Sequence, residues 1–112
     1  MENHTNKLKI ASWNLCLGLI NKKDLVSRII NENGIDICAL QEIELPAEYD
    51  SNVLSFNGYD LITENNNGKI RTGIYIKTEI KYTRMCNLEG QNSGVIIIDV
   101  QGQSNVRISN CN

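Results

Sequence analysis

Ile35-Asp36-Ile37-Cys38-Ala39-Leu40-Gln41-Glu42 is a nearly unbroken apolar run that stops at an amide and a carboxylate. An apolar run without alternation is the pattern of a strand buried on both faces. Just before it, residues 22–33 carry Leu25, Val26, Ile29 and Ile30 at helical spacing, which predicts a helix with one apolar stripe. Lys22, Lys23, Arg28 and Glu32 fall on its solvated side. Asn21, followed three residues later by Asp24, predicts a variant of the capping box, and Asn33-Gly34 is a helix stop. Further upstream, residues 7–15 include Ile10 and Trp13 and read as a strand, with Gly18 in the connection that follows. Strand, helix and strand joined by short connections predict a parallel crossover unit.

Downstream the pattern changes. Residues 59–64, 73–77, 79–85, 94–101 and 105–111 read as strands, separated by turn signals at Asn67-Gly68, Glu89-Gly90, Asn92-Ser93-Gly94 and Gln101-Gly102-Gln103-Ser104. Hairpins of this kind are antiparallel, and no further helix is predicted. The fold class is α+β: one helix after the first strand, then mostly antiparallel strands. The last predicted strand is apolar, and exposed strand edges are normally protected, so the fold is expected to continue beyond it.

The chain has 112 residues, 41% hydrophobic and 21% charged, with a net charge of -2. That length fits one domain or part of one. A slightly acidic balance argues against a simple DNA-coating role, but not against an enzyme that meets phosphate through a metal. No apolar run approaches the ~20 residues of a membrane span. Residues 1–6 form a polar tail without the apolar core of a signal peptide, so an intracellular protein is expected. None of Cys16, Cys38, Cys86 and Cys111 stands at zinc-ligand spacing, and buried free thiols are expected for all but Cys86, which sits near a turn.

The chemistry concentrates at two strand ends. In an open crossover sheet, ligands bind at the carboxyl ends of the strands. Asn14 and Glu42 both stand there. Asn offers a neutral donor and acceptor, and Glu offers the hard anionic oxygen that Mg2+ takes alongside water and phosphate. Read singly, Asn14 is a turn former, so its functional reading rests on Glu42. Trp13 reads as packing, Gln41 as a structural hydrogen-bonder and Asp36 as structural. Lys69 and Arg71, beside the Asn65-Asn66-Asn67-Gly68 loop, read two ways: a solvated hairpin tip, or contacts to a phosphate backbone.

Ile10-Ala11-Ser12-Trp13-Asn14, a helix, and then Asp36-Ile37-Cys38-Ala39-Leu40-Gln41-Glu42 resemble the opening of the endonuclease/exonuclease/phosphatase family. That opening has a W-N strand and, after a helix, D-I-x-x-L-Q-E. Thr72-Gly73-Ile74-Tyr75-Ile76-Lys77 resembles the family's next core strand. Residues 88–90, 95–100 and 106–110 resemble the retrotransposon-type and AP-endonuclease-like branch. The resemblance implies a partial four-layer α/β/β/α sandwich, with residues 7–112 as the N-terminal half of the domain. It implies Mg2+ or Mn2+ as cofactor, Glu42 as catalytic metal ligand, Asn14 as a catalytic residue that orients phosphate or metal-bound water, and nucleic acid as the partner of the full-length parent. Arg71, from its place beside the Asn-rich loop, is a further candidate substrate contact.

The departures from the family pattern are as informative. Asn110-Cys111-Asn112 puts Asn112 where the nuclease branches have the Tyr of an Asn-x-Tyr motif. The later G-D-x-N and S-D-H motifs have no counterpart, and the sole histidine, His4, lies in the polar tail. The expectation is a truncated phosphodiester hydrolase, inactive as an isolated chain. The alternative is a non-catalytic binding module or decayed remnant of the same fold. Half of a two-sheet fold would leave part of an inner sheet face open, and exposed apolar surface promotes self-association.

Overall fold

The computed structural model describes residues 8–16, 18–46, 48–66, 69–89, 95–101 and 106–111. The tail with His4, the turns at Asn67-Gly68, Gly90, Asn92-Ser93-Gly94 and Gly102-Gln103-Ser104, and Asn112 lie outside the described residues, as does the side chain of Cys111. The elements run β1 (Ile10–Asn14), α1 (Lys23–Glu32), β2 (Ile37–Pro46), a 3-10 turn (Ser51–Leu54), β3 (Tyr59–Asn66), β4 (Lys69–Lys77), β5 (Tyr82–Arg84), α2 (Cys86–Glu89), β6 (Val95–Val100) and β7 (Val106–Cys111). They build two sheets, ordered β1-β2-β4-β3 and β5-β6-β7. The fold is mixed α+β and mostly strand, with the expected helix after β1.

The crossover unit is parallel, with Ile10 beside Ile37 and Asn14 beside Gln41. All other strand pairs among the described residues are antiparallel. The unbroken apolar run of β2 has a direct cause. Cys38 and Leu40 join Val26 and Ile30 of α1 in one core. Ile37 and Ala39 point the other way and share a second core with Ile74 and Ile76 of β4 and Ile96, Ile98 and Val100 of β6. Each fully buried aliphatic side chain contributes roughly 1.5–3 kcal/mol, so this central strand and its neighbour β4 anchor both layers. Tyr75 of β4 is wholly buried on the helix side, donates its hydroxyl to the Leu54 carbonyl and packs its ring at a tilt against Phe56. Asp36 is structural, as read from sequence: its carboxylate accepts from the Lys9 amide and pairs with Lys77.

Several expectations are corrected. Asn21 does not cap α1. The chain makes a tight turn, with the Lys22 amide donating to the Leu19 carbonyl, so Lys22 takes the cap position without a side-chain cap bond. Lys22 is also not simply solvated, because its ammonium reaches the Leu15 carbonyl. Leu25 is 41% exposed, because a helix lying on one sheet face buries a narrow stripe, here Val26 and Ile30. β2 does not stop at Glu42 but resumes pairing at Leu45 and runs to Pro46. A second, four-residue helix, α2, follows β5. It is too short to show periodicity in sequence.

Along β1, Ile10, Ser12 and Asn14 are exposed while Ala11 and Trp13 pack toward the helix-side core, and Thr83, Arg107 and Ser109 are exposed on the second sheet. Among the described residues no helix is long and apolar enough to cross a membrane.

Cys16 is exposed, against expectation, because the chain leaves β1 there in a left-handed turn with φ of 51°. Cys86 is exposed too, whereas Cys38 is buried and burial pushes its thiol pKa up to about 11. Since the thiolate is the nucleophile, a thiol reagent should label Cys16 and Cys86 in the native protein. Cys38 should react only on unfolding. Peptide mass mapping reads the order, and rapid native labelling of Cys38 would contradict its burial.

Candidate active site

The parallel pairing of β1 and β2 sets Asn14 beside Gln41, one residue short of Glu42. The Asn14 Nδ2 donates to Glu42 Oε2 at 3.1 Å, while Asn14 Oδ1 accepts from the Cys16 amide at 2.9 Å. The backbone amide thus fixes which way the Asn14 amide faces. Its oxygen is held by the turn, so its nitrogen is presented to the carboxylate. Asn14 is exposed and Glu42 part-buried, so the pair sits on the rim left open along β1.

Beyond the end of β1 the ladder continues through the loop. Leu15, Gly18 and Leu19 donate their amides to the carbonyls of Gln41, Glu42 and Ile43 at 3.0, 2.9 and 3.0 Å. Gly18 has φ of 125°, open to glycine and rarely to other residues.

On its other side β2 bulges. Gln41 pairs with Thr72 and Leu45 with Ile70, so Glu42, Ile43 and Glu44 stand opposite Arg71 alone. Glu42 and Glu44 both adopt left-handed backbone, with φ of 58° and 52°. For a residue with a Cβ that conformation costs roughly 1–2 kcal/mol, and such strain gathers at functional sites. Between them Ile43 turns inward and is 1% exposed. It lies over Gly73, where a Cβ would come within 2.7 Å of Ile43 Cδ1. A side chain at Gly73 would therefore force the tip of Ile43 to move and press on the Ile62 carbonyl at 3.3 Å.

Sequence reasoning missed the support of this site. Asn110 of β7 is 2% exposed. Its Nδ2 donates to the Leu40 carbonyl at 3.1 Å and the Gly73 carbonyl at 3.0 Å, and its Oδ1 accepts from Gln41 Nε2 at 2.7 Å. Gln41 Nε2 also lies 3.2 Å from Ser12 Oγ. One buried amide thus ties the second sheet to β2 and β4, and through Gln41 to β1, next to Glu42 in the chain. A signal was available: Asn110 faces Ile96, on the same side of β7 as Ile108, which packs against the inter-sheet core. A polar residue at a core position of a strand has to find buried partners.

Arg71 is not joined to Asn14 by any described bond. Its Nε pairs with Glu44 Oε2 at 3.1 Å, and Lys69 Nζ with Glu44 Oε1 at 3.3 Å. Among the described residues no three His, Cys, Asp or Glu side chains gather as a metal cage. The donor set at the rim is one carboxylate with a neutral amide beside it. That set suits a hard cation keeping most of its water, since Mg2+ takes one or two carboxylates in such sites. It does not suit a site built wholly from protein ligands.

No protein-family model matches the chain, and no curated protein is similar to it in sequence. Solved structures do match. The endonuclease domain of TRAS1, a telomere-specific non-LTR retrotransposon, superposes with a TM-score of 0.70 at 10% identity, over 94% of this chain and 45% of that one. The AP endonuclease LMAP from Leishmania major gives 0.69 at 20% identity, over 94% of this chain and 40% of that one. The chain therefore spans less than half the length of either structure, and identities this low speak to fold. Nearly its whole length carries part of the fold that these two structures share.

Proposed function

We propose that the chain is part of a divalent-metal-dependent phosphodiester hydrolase acting on nucleic acid, built as one half of an α/β/β/α sandwich, with Glu42 as ligand to Mg2+ or Mn2+. The observation that carries this reading is the 3.1 Å bond between Asn14, at the carboxyl end of β1, and Glu42, where β2 passes the last parallel pair and enters its bulge. The left-handed backbone of Glu42 supports it. The endonuclease activities named for the two similar structures favour a nucleic-acid substrate.

In this reading Glu42 holds the cation and Asn14 keeps the carboxylate aimed at the rim, presenting an amide to a phosphate oxygen. The cation, when bound, would stabilise charge on the phosphoryl oxygens and lower the pKa of a bound water. Phosphodiester hydrolysis also needs a general base and help for the leaving oxygen. Asn14 and Glu42 do not supply both, so this chain alone is expected to bind without turning over.

The test is Mn2+ binding, read from paramagnetic broadening of amide resonances. Broadening should centre on Asn14 and Glu42, and Glu42→Gln should weaken binding at least tenfold, about 1.4 kcal/mol or more. Equal broadening in the variant, or broadening centred elsewhere, would overturn the assignment. A second reading, a binding module that kept the fold without catalysis, is favoured by the single carboxylate at the rim. Metal-dependent cleavage of DNA or RNA by the purified chain, abolished in Glu42→Gln, would exclude it.

A further inference from the structure

Glu44 is the part of the bulge that the reading above leaves unexplained. Its side chain is 16% exposed and lies between two cations that are far more open, Lys69 at 47% and Arg71 at 44%. Exposed ion pairs add little stability, and Glu44 holds its place in a left-handed conformation with φ of 52° that disfavours any side chain. Fold stability therefore gives no reason for a carboxylate at this position. Lys69 and Arg71 are two residues apart on β4, so they project from the same face of the strand. Arg71 stands opposite the bulge that carries Glu42.

We propose that Lys69 and Arg71 form a contact for the phosphate backbone of a nucleic acid beside the Glu42 rim, and that Glu44 is a built-in competitor for that contact. The proposal rests on the nucleic-acid reading given above. Glu44 reduces the formal charge of the three side chains from +2 to +1. A backbone phosphate competes with the carboxylate for the guanidinium, whose Nε Glu44 holds. Arg and Lys contacts to phosphate position a strand without reading its sequence. A competitor at that point weakens attachment to arbitrary polyanions and leaves more of the binding to be made at the rim itself.

Counterion release makes this measurable, because each phosphate neutralised adds about 0.9 to the slope of log affinity against log salt on duplex DNA. The experiment is fluorescence anisotropy of a labelled DNA duplex titrated with the full chain at several KCl concentrations. Glu44→Gln should bind about three- to tenfold more tightly at low salt, with a salt slope steeper by up to about one phosphate. Glu44→Gly, which suits the left-handed backbone, should do the same and serves where the glutamine variant folds poorly. Lys69→Gln with Arg71→Gln should weaken binding about tenfold and flatten the slope. Binding by the wild type that is indifferent to all these substitutions overturns this proposal and leaves the nucleic-acid reading standing. Failure of every chain to bind duplex or single-stranded DNA or RNA overturns that reading, and the competitor role with it.

Discussion

Asn110→Leu should lower the stability of the chain by about 3–5 kcal/mol, because it strands several buried polar groups at once. The lost bonds run to the Leu40 and Gly73 carbonyls and from the Gln41 amide. A typical bond is worth about 1 kcal/mol net, but a buried group left without its partner costs about 1–3 kcal/mol instead. The low end applies to the carbonyls, which keep a second lone pair, and to Gln41, which keeps Ser12 within reach. Domains of this size have ~5–15 kcal/mol in total, so the variant stands near the threshold of folding. Gln41→Met is the milder companion, expected to cost about 1–2 kcal/mol, since it spares both carbonyl bonds. Urea unfolding followed by Trp13 fluorescence measures both. A loss under about 1 kcal/mol for Asn110→Leu would show that the amide does not tie the sheets together.

Glu89→Ala should cost about 2–4 kcal/mol by breaking a mostly buried ion pair. Glu89 is 7% exposed, takes Nε and Nη2 of Arg84 on its carboxylate and accepts from the Ile97 amide at 2.9 Å. Arg84 also donates to the Thr63 carbonyl of β3 at 2.8 Å, so the pair joins the two sheets at a second point. The lower part of the usual range applies because the Arg84 side chain is 30% exposed and water can reach it once it is unpaired.

The same pair predicts a pH dependence. Burial pushes the Glu89 carboxyl upward, but the Arg84 guanidinium and the Ile97 amide outweigh it and hold the carboxyl below its ordinary 4.5. A carboxyl depressed in the folded state contributes stability that is full above its unfolded value and is lost as pH falls through the folded one. The wild type should therefore lose stability on acidification below about pH 4.5, and Glu89→Gln should show a flatter curve there. Identical pH profiles for the two chains would mean that the carboxylate contributes nothing through its charge.

The sequence carries the crossover unit openly. Val26 and Ile30 mark the helix, and an apolar run with Cys38 and Leu40 facing one way and Ile37 and Ala39 the other marks a strand covered twice. The convergence of Asn14 and Glu42 follows from that unit, because the parallel register sets Asn14 beside Gln41. The rest is hidden for physical reasons. Glu42-Ile43-Glu44 alternates as any strand does, and nothing in the residue types announces two glutamates in left-handed backbone. Arg71 reads as open to a ligand because its partner Glu44 lies 27 positions away across the sheet. Asn21 has the chemistry of a cap, but it lies inside the turn that Lys22 closes on Leu19, which moves the cap to Lys22. Asn110 was legible by its alternation with Ile108, yet its partners are carbonyls, which carry no residue identity.

The Asn110 ties also set an order of events during synthesis. The Gln41 bond spans 69 positions and the Leu40 bond spans 70, so a ribosome must extrude residues up to Asn110 before these ties can close. Until then the nascent chain holds its glutamate only from the side of β1, and the rim is completed by the last strand described rather than by the first.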